Sequence, residues 1–305
     1  MPRTSKKAPA LRACGGTPTL CTALCALLLS ACVTVDYDFK GKGFRRRVVV
    51  NALLTPQETF TVRLHWSGTY AEGENYTPVA DAEIRLFEGK TEVVRCPASG
   101  GGVTETTFIA VPGRRYRLEV SVPDYGELWA ETSVPEAPVA TISHVMYKGW
   151  YRHFDLASLT VPADAKAVWL RGYRIREGEL EKLWGYYTAS AFVDQVNGSN
   201  DAYEADEKGC TIDFEEFLRI PYENCTAAVP LRFSVDGNTE GTHLFRVITA
   251  SDTYDRYMRS RYKQTLNTEE GAEDNPFTEQ ITVYSNVANG LGVFAGYNYY
   301  TSPEL

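Results

Sequence analysis

Apolar and polar residues alternate with a period of two in several short runs along the first half of the chain. This alternation is typical of antiparallel strands that bury one face. The runs cover residues 48–50, 60–66, 82–86, 116–122 and 128–132. Because Gly, Pro and Asn separate them, they predict a small β-sandwich over residues 47–134.

Two segments of this sandwich, at residues 78–84 and 111–118, resemble parts of immunoglobulin-like or transthyretin-like extracellular modules.

The second half of the chain, residues 139–305, is also rich in strand signals, but they are less regular. A short polar stretch that contains Pro135 and Pro138 separates the halves and predicts a stiff linker. We therefore expect a mainly β protein in two parts, in which the sandwich is followed by a second β-rich domain.

One helical pattern stands out in the second domain. Ser251 is a favourable N-cap residue, and Tyr254, Met258 and Tyr262 then recur at a spacing of four. This periodicity predicts an amphipathic helix over residues 251–266. Its aromatic stripe is either a platform for a ligand or the face that packs on a sheet.

The N-terminus follows a different pattern. Four basic residues and no acidic residue precede an apolar run that is too short to span a bilayer, which is the layout of a secretory signal. The run ends at residues 29–32 (Leu-Ser-Ala-Cys), which resemble the lipobox of bacterial lipoproteins; the alternative is an ordinary signal peptide with an incidental cysteine. We expect residues 1–31 to be removed, Cys32 to be acylated and residues 32–46 to form a tether.

Removal of the signal changes the charge of the protein. It takes four of the 31 Lys and Arg residues, so 27 face 39 Asp and Glu, a net charge of −12. Such a chain is a poor match for nucleic acid and is repelled by anionic lipid, so we expect the membrane as a partner only through acyl chains on Cys32. Asp36 and Asp38 resemble surface-export signals and favour the cell surface, although either leaflet stays open.

Export also bears on the remaining cysteines. Cys210 and Cys225 lie in an acidic, loop-like region and are candidates for a disulfide, which would contribute about 3 kcal/mol. The alternative is two separate buried thiols, and Cys96 is expected to act as a small hydrophobic residue. Neither a C-x-x-C motif nor a paired histidine motif occurs, so no metal site is expected.

Acidic residues are dense between positions 194 and 216. Carboxylates are ligands that Ca²⁺ prefers, but residues 194–198 do not match a calcium-binding loop, and a solvated acidic loop is the alternative. The residues are Asp194, Asp201, Glu204, Asp206, Glu207, Asp213, Glu215 and Glu216.

Trp184, Tyr186 and Tyr187 form a candidate interaction surface, because exposed Tyr and Trp suit protein interfaces and stacking on glycans. The alternative is that they fill a core. The four histidines form no H-E-x-x-H motif and accompany no G-x-S-x-G motif, so we expect a protein without catalytic activity and without a cofactor.

The C-terminal part carries motifs in a defined order at residues 274–280 (DNPFTEQ), 285–287 (SNV) and 289–297 (NGLGVFAGY). With the VVNALL strand, the turn at 111–113 and the proline linker, they resemble a domain-of-unknown-function family of Bacteroidota outer-membrane lipoproteins. Members are typically encoded near TonB-dependent receptors. The resemblance therefore implies an accessory or binding role in uptake beside such a receptor, and it supplies no catalytic residues. The chain departs from the family pattern at residues 194–225.

Two functions follow from these observations. The first is an accessory or binding lipoprotein of a TonB-dependent uptake system at the outer membrane, with an unknown ligand. The alternative is a structural or adhesive surface lipoprotein, since tandem sandwiches also build adhesins. The last residues, 299–305, are too short for donor-strand assembly.

Overall fold

Most of the residues that the structure describes lie in β-strands, as the alternation predicts. The computed structural model describes residues 45–68, 76–200, 204–225, 231–237, 241–269 and 282–305. Residues 46–305 form one compact unit. The predicted signal peptide and almost all of the tether, including Cys32, lie outside the described residues.

The described residues contain eighteen strands. They are β1 (Val48–Leu54), β2 (Thr61–Trp66), β3 (Glu83–Glu88), β4 (Thr91–Pro97), β5 (Val103–Glu105), β6 (Arg114–Val122), β7 (Gly126–Val134), β8 (Val139–Lys148), β9 (Tyr151–Thr160), β10 (Ala167–Arg176), β11 (Glu179–Lys182), β12 (Gly185–Tyr187), β13 (Gly198–Asn200), β14 (Ile212–Glu215), β15 (Leu218–Pro221), β16 (Leu231–Asp236), β17 (Thr242–Ala250) and β18 (Leu291–Thr301).

Two α-helices accompany the strands, α1 (Ala205–Lys208) and α2 (Asp252–Glu269). Single 3₁₀ turns lie at Gln195–Asn197 and Tyr222–Asn224. The mainly β fold with one long helix is thus confirmed. No helix in the described part of the chain is long and apolar enough to cross a bilayer.

The strands form three sheets. The largest has eight strands in the order β11-β10-β17-β18-β1-β2-β5, with β15 also paired to β10. A six-stranded sheet runs β13-β14-β12-β16-β9-β8, and a four-stranded sheet runs β4-β3-β6-β7. The large sheet therefore contains strands from both sides of the predicted boundary at residues 134–139.

Strand β18 joins the two halves. It pairs in parallel with β1, where Val50 faces Gly292, and antiparallel with β17, where Thr249 faces Asn298. The last strand of the chain is thus hydrogen-bonded to the first. The predicted boundary does not separate two independent sheets, and Phe294 of the second half contributes to the core of the first.

The two cores lie on the same face of the large sheet. In the first, β1 and β2 pack against the four-stranded sheet, and in the second, β10 and β17 pack against the six-stranded sheet. Phe294 contributes to the first core and Tyr300 packs against the second. Because alternate residues of a strand share a face, these two side chains place both cores on one side of β18.

Helix α2 covers the opposite face of the same sheet. The Ser251 Oγ accepts a hydrogen bond from the backbone N–H of Tyr254 at 3.2 Å, the N-cap that the sequence predicts. The Tyr254, Met258 and Tyr262 side chains are buried against Trp169 and its neighbours. The aromatic stripe is therefore the packing face of the helix.

The glycines of the last motif allow other backbones to approach β18 closely. A Cβ atom on Gly292 would lie 2.0 Å from the carbonyl oxygen of Val50, and one on Gly296 would lie 2.1 Å from the carbonyl oxygen of Ser133. Gly292 also has φ of +103°, a conformation that disfavours side chains. Both positions therefore require glycine.

Asn286 of the preceding motif completes the hydrogen bonding of β18. Its side chain accepts a hydrogen bond from the N–H of Phe294 at 2.9 Å and donates one to the carbonyl of the same residue at 2.8 Å. The amide thus bonds to the backbone N–H and carbonyl of Phe294, as a neighbouring strand would.

The proline stretch between the halves is packed against the sheet. Pro135 and Pro138 are both buried. The Asn298 side chain donates to the carbonyl of Pro135 at 3.0 Å, and the Thr249 hydroxyl donates to the carbonyl of Glu136 at 2.6 Å. These contacts fix the connection between the cores.

Replacement of Gly292 tests the close approach of β1 and β18. Gly292→Ala is expected to lower the free energy of unfolding by on the order of 3 kcal/mol, because the new Cβ overlaps the Val50 carbonyl. Urea denaturation gives this value. Gly100→Ala is the control, since a Cβ there meets nothing within 4 Å; equal stability of the two variants would contradict the proposed constraint.

His243 is a buried polar residue of strand β17. Its ring is 0 % exposed, and its Nδ1 lies 2.8 Å from a terminal nitrogen of Arg152. Because a guanidinium only donates, this Nδ1 accepts and carries no proton. Burial, with the nearby charge of Arg152, lowers the pKa of His243 to about 4.

This lowered pKa predicts a loss of stability in mild acid. The unfolded chain binds a proton at His243 near pH 6.5, so the contribution of its neutral ring is present above that pH and is lost as pH falls toward 4. The loss is roughly 3 kcal/mol over this window. Urea denaturation between pH 7 and 4 should show a smaller loss for His243→Asn, whose amide oxygen can accept the same bond; parallel pH profiles would argue against it.

Candidate functional site

The three residues of the predicted aromatic surface differ in their exposure to solvent. Trp184 is 65 % exposed, whereas Tyr186 is fully buried and Tyr187 is half-buried. The Tyr186 hydroxyl accepts a hydrogen bond from the backbone N–H of Gly172 on the facing sheet. Tyr186 is therefore a core residue, because the alternation of β12 turns it inward, and the prediction of one shared surface is corrected for it.

Tyr187 lines a pocket of about 310 Å³ at one end of the second core. Its ring packs against Tyr151, with ring centroids 5.0 Å apart, and the ammonium of Lys208 lies 4.8 Å from its centre. The other lining residues are His153, Thr188, Ala189, Ser190, Phe192, Gly209, Cys210, Arg232 and Ser234.

A serine and a histidine meet at the wall of this pocket. The Ser234 hydroxyl lies 2.8 Å from Nδ1 of His153 and 2.7 Å from the carbonyl oxygen of Lys208, and Nε2 of His153 lies 3.0 Å from the carbonyl oxygen of Glu207. Both side chains are buried. Both carbonyls belong to the last two residues of α1, so the hydrogen bonds of Ser234 and His153 connect this helix to β16 and β9.

The acidic stretch is used mainly in internal contacts. Asp194 pairs with Arg219 at 2.5 Å, Asp213 with Lys208 at 2.9 Å and Glu216 with Lys182 at 2.8 Å.

Two further carboxylates of the stretch accept hydrogen bonds from tyrosines. Glu204 accepts from Tyr151 at 2.7 Å, and Glu215 accepts from Tyr262 at 2.8 Å. Asp201 lies outside the described residues. Among the residues that the structure describes, no group of His, Cys, Asp and Glu is arranged to hold a metal ion.

Cys210 and Cys225 are free thiols in the structure, so the predicted disulfide is not formed there. Each sulfur lies near a backbone carbonyl, that of Ile212 at 3.4 Å for Cys210 and that of Pro221 at 3.3 Å for Cys225. Burial raises the pKa of the Cys225 thiol to about 12 and also raises that of Cys210. Cys96 is a free, half-buried thiol beside the first core.

A buried ion pair connects α2 to the large sheet. Arg219 of β15 makes two hydrogen bonds to Asp255, at 2.7 and 2.8 Å, and the indole N–H of Trp169 donates to the same carboxylate at 3.0 Å. Arg219 and Asp255 are 4 % and 2 % exposed. Sequence reasoning missed this network, since Asp255 has the ordinary helix-dipole position of an acidic residue in a first turn.

Three of the exposed apolar residues of the second half lie together at a hairpin. The end of β8 and the turn to β9 present Met146, Tyr147 and Trp150, which are 45 %, 59 % and 54 % exposed. β8 is the outer strand of its sheet and has an irregularity at Val145, which the pairing with β9 skips; such a bulge protects an edge against uncontrolled pairing. This hairpin, which we call the aromatic hairpin, is a surface suited to a protein partner.

Two hydrophobic cores lie on one face of the large sheet, and helix α2 lies on the opposite face. This arrangement defines a sandwich-type, mainly β protein. The chain belongs to the family of the domain of unknown function DUF4249, whose model matches residues 33–302. The prediction of a domain-of-unknown-function family is thereby confirmed. A search of curated protein sequences found no match to the chain.

Loss of Asp255 is expected to destabilise the protein strongly. Asp255→Ala removes one of the two carboxylates that pair with the buried Arg219 and leaves only Asp194. This loss should lower the free energy of unfolding by about 3–5 kcal/mol. Asp252→Ala is the control in the same helical turn, because its pair with Arg256 is exposed and 3.7 Å long. That variant should lose at most about 1 kcal/mol in urea denaturation, and similar losses in both would refute the role of the buried pair.

Proposed function

We propose that this protein is a non-catalytic lipoprotein of the outer membrane, acylated at Cys32, that serves as an accessory or binding component of a TonB-dependent uptake system. The observation that carries the anchoring is the order of the N-terminal signals: basic residues, a short apolar run, two small residues and a cysteine. The family match begins at residue 33, directly after that cysteine.

The charge of the protein supports an acyl anchor. A mature chain of net charge −12 gains nothing from an anionic lipid surface, so attachment has to come from buried hydrocarbon. Each methylene of an acyl chain contributes about 0.8 kcal/mol, and more than one chain suffices for stable binding.

The aromatic hairpin supports a binding role. Tyr and Trp are enriched where proteins meet. The exposed side chains of Tyr147 and Trp150 lie at the end of edge strand β8, whose bulge at Val145 discourages pairing with other strands. We propose that the partner is the receptor of the uptake system and that contact is made through side chains. Edge-to-edge strand addition would instead suit the alternative, a structural or adhesive surface protein.

Cys32→Ala tests the anchor. The variant is expected to move from the membrane fraction to the soluble fraction, because it lacks the thiol that carries the acyl chains. Its urea denaturation midpoint should equal that of the native protein. Fractionation after a high-salt wash measures this, and a variant that still pellets with membranes would refute the anchor. Protease treatment of intact cells then places the body on the outer or the inner face.

The partner is tested separately, with Tyr147→Ser and Trp150→Ser against Trp184→Ser as the matched exposed aromatic. Purification of the lipoprotein from detergent-solubilised membranes should bring a TonB-dependent receptor with it, and the hairpin variants should lose that receptor while the Trp184 variant retains it. A lipoprotein recovered alone under mild detergent would count against the uptake role and leave the adhesive role.

A further inference from the structure

Two arginines lie side by side on the helix-bearing face of the large sheet. Arg171 of β10 and Arg246 of β17 are directly paired in the sheet register. Arg171 lies two positions after Trp169 on β10, and Arg246 lies two positions before Ile248 on β17, so both share the face that α2 covers further along. We call Arg171 and Arg246 the arginine pair.

Aromatic rings hold one member of the pair. The Arg246 guanidinium carbon lies 4.9 Å from the ring centre of Tyr173 and 4.8 Å from that of Tyr299, on the two strands that flank β17. A guanidinium between two rings loses little further freedom when a ligand binds, which favours tight contacts. Tyr173 and Tyr299 are half-buried, so this arrangement is part of the surface.

Neither arginine has an acidic partner among the described residues. No ion pair or side-chain hydrogen bond there involves Arg171 or Arg246, and the Nε atom of each is buried without an acceptor. Like charges directly opposite each other in a sheet are unfavourable, and buried donors without acceptors are costly. The pair therefore costs stability.

Several strand cations of this protein have carboxylate partners. Arg85 contacts Glu92 at 2.9 Å, and Arg117 contacts Glu119 at 2.8 Å. Lys182, which faces Tyr173 in the register of β11, is paired with Glu216 at 2.8 Å. Arg171 and Arg246 instead face each other without a carboxylate partner among the described residues, and an anionic ligand would fill that role.

We infer that the arginine pair binds a dianionic group, a phosphate or two neighbouring carboxylates. Two guanidinium forks on adjacent strands present several N–H donors across one inter-strand spacing, and such forks match the oxygens of phosphate and carboxylate groups. The ligand neutralises both charges and supplies acceptors to the donors. This binding concerns the body of the protein, so it does not depend on the acyl anchor or on a receptor.

The test uses the purified full chain and two simple probes. Inorganic phosphate and succinate are titrated by calorimetry and by thermal unfolding at constant ionic strength, with chloride as the compensating anion. Saturable binding of either probe, absent for chloride, is expected. The probe that binds more tightly identifies the source as a phosphate or as a pair of carboxylates.

Variants locate the binding. Arg171→Gln and Arg246→Gln should each weaken binding of the preferred probe at least tenfold, since each removes a charge-assisted contact. Arg232→Gln is the matched control, because it removes the same charge from an exposed arginine of the six-stranded sheet that is paired with Asp155. Its binding should stay within twofold of the native protein.

Two results would overturn the inference. One is equal stabilisation of the native protein and both pair variants by phosphate and succinate. The other is a loss in Arg232→Gln as large as that in the pair variants, which would mean a general charge effect. If Arg246→Gln does not fold, Arg246→Lys preserves the charge and removes the fork, and it must weaken binding for the inference to stand.

Discussion

The position of β18 is the constraint on which the rest of the structure depends. Its backbone is hydrogen-bonded to β1 on one side and to β17 on the other, so one strand joins elements that begin at residues 48 and 242. β1 approaches Gly292 and β7 approaches Gly296 so closely that neither glycine has room for a Cβ atom. Both cores and the helix then have a single continuous surface on which to pack, and neither half of the large sheet is complete without this strand.

Buried polar groups fix how the remaining elements sit on that sheet. Arg219 and Asp255 make the position of α2 specific, because a charged pair with two matched hydrogen bonds tolerates only one arrangement, whereas the apolar stripe of the helix could slide. His153 and Ser234 do the same for α1 on the six-stranded sheet. In both places hydrophobic burial provides the driving force and polar contacts select the geometry.

Predictions from local pattern succeeded where one face of an element is buried. The alternation at 116–122 became the long strand β6, and the spacing of tyrosines after Ser251 became α2 with its expected cap. They failed for two reasons. Strand β4 lies at a sheet edge with neither face deeply buried, so its sequence carries no period. Strand β12 is only three residues long, too short to show a period, so the inward-facing Tyr186 looked like part of a surface.

The sequence by itself determined the class of fold, the long helix and the expectation of a lipid anchor, because each follows from residues close together in the chain. Only the tertiary structure decided that the last strand pairs with the first, that Cys210 and Cys225 remain free thiols and that the two arginines of the large sheet stand next to each other. These are relations between distant segments. Strand register, which no local pattern encodes, sets which side chains meet, and the chemistry of the surface follows from those meetings.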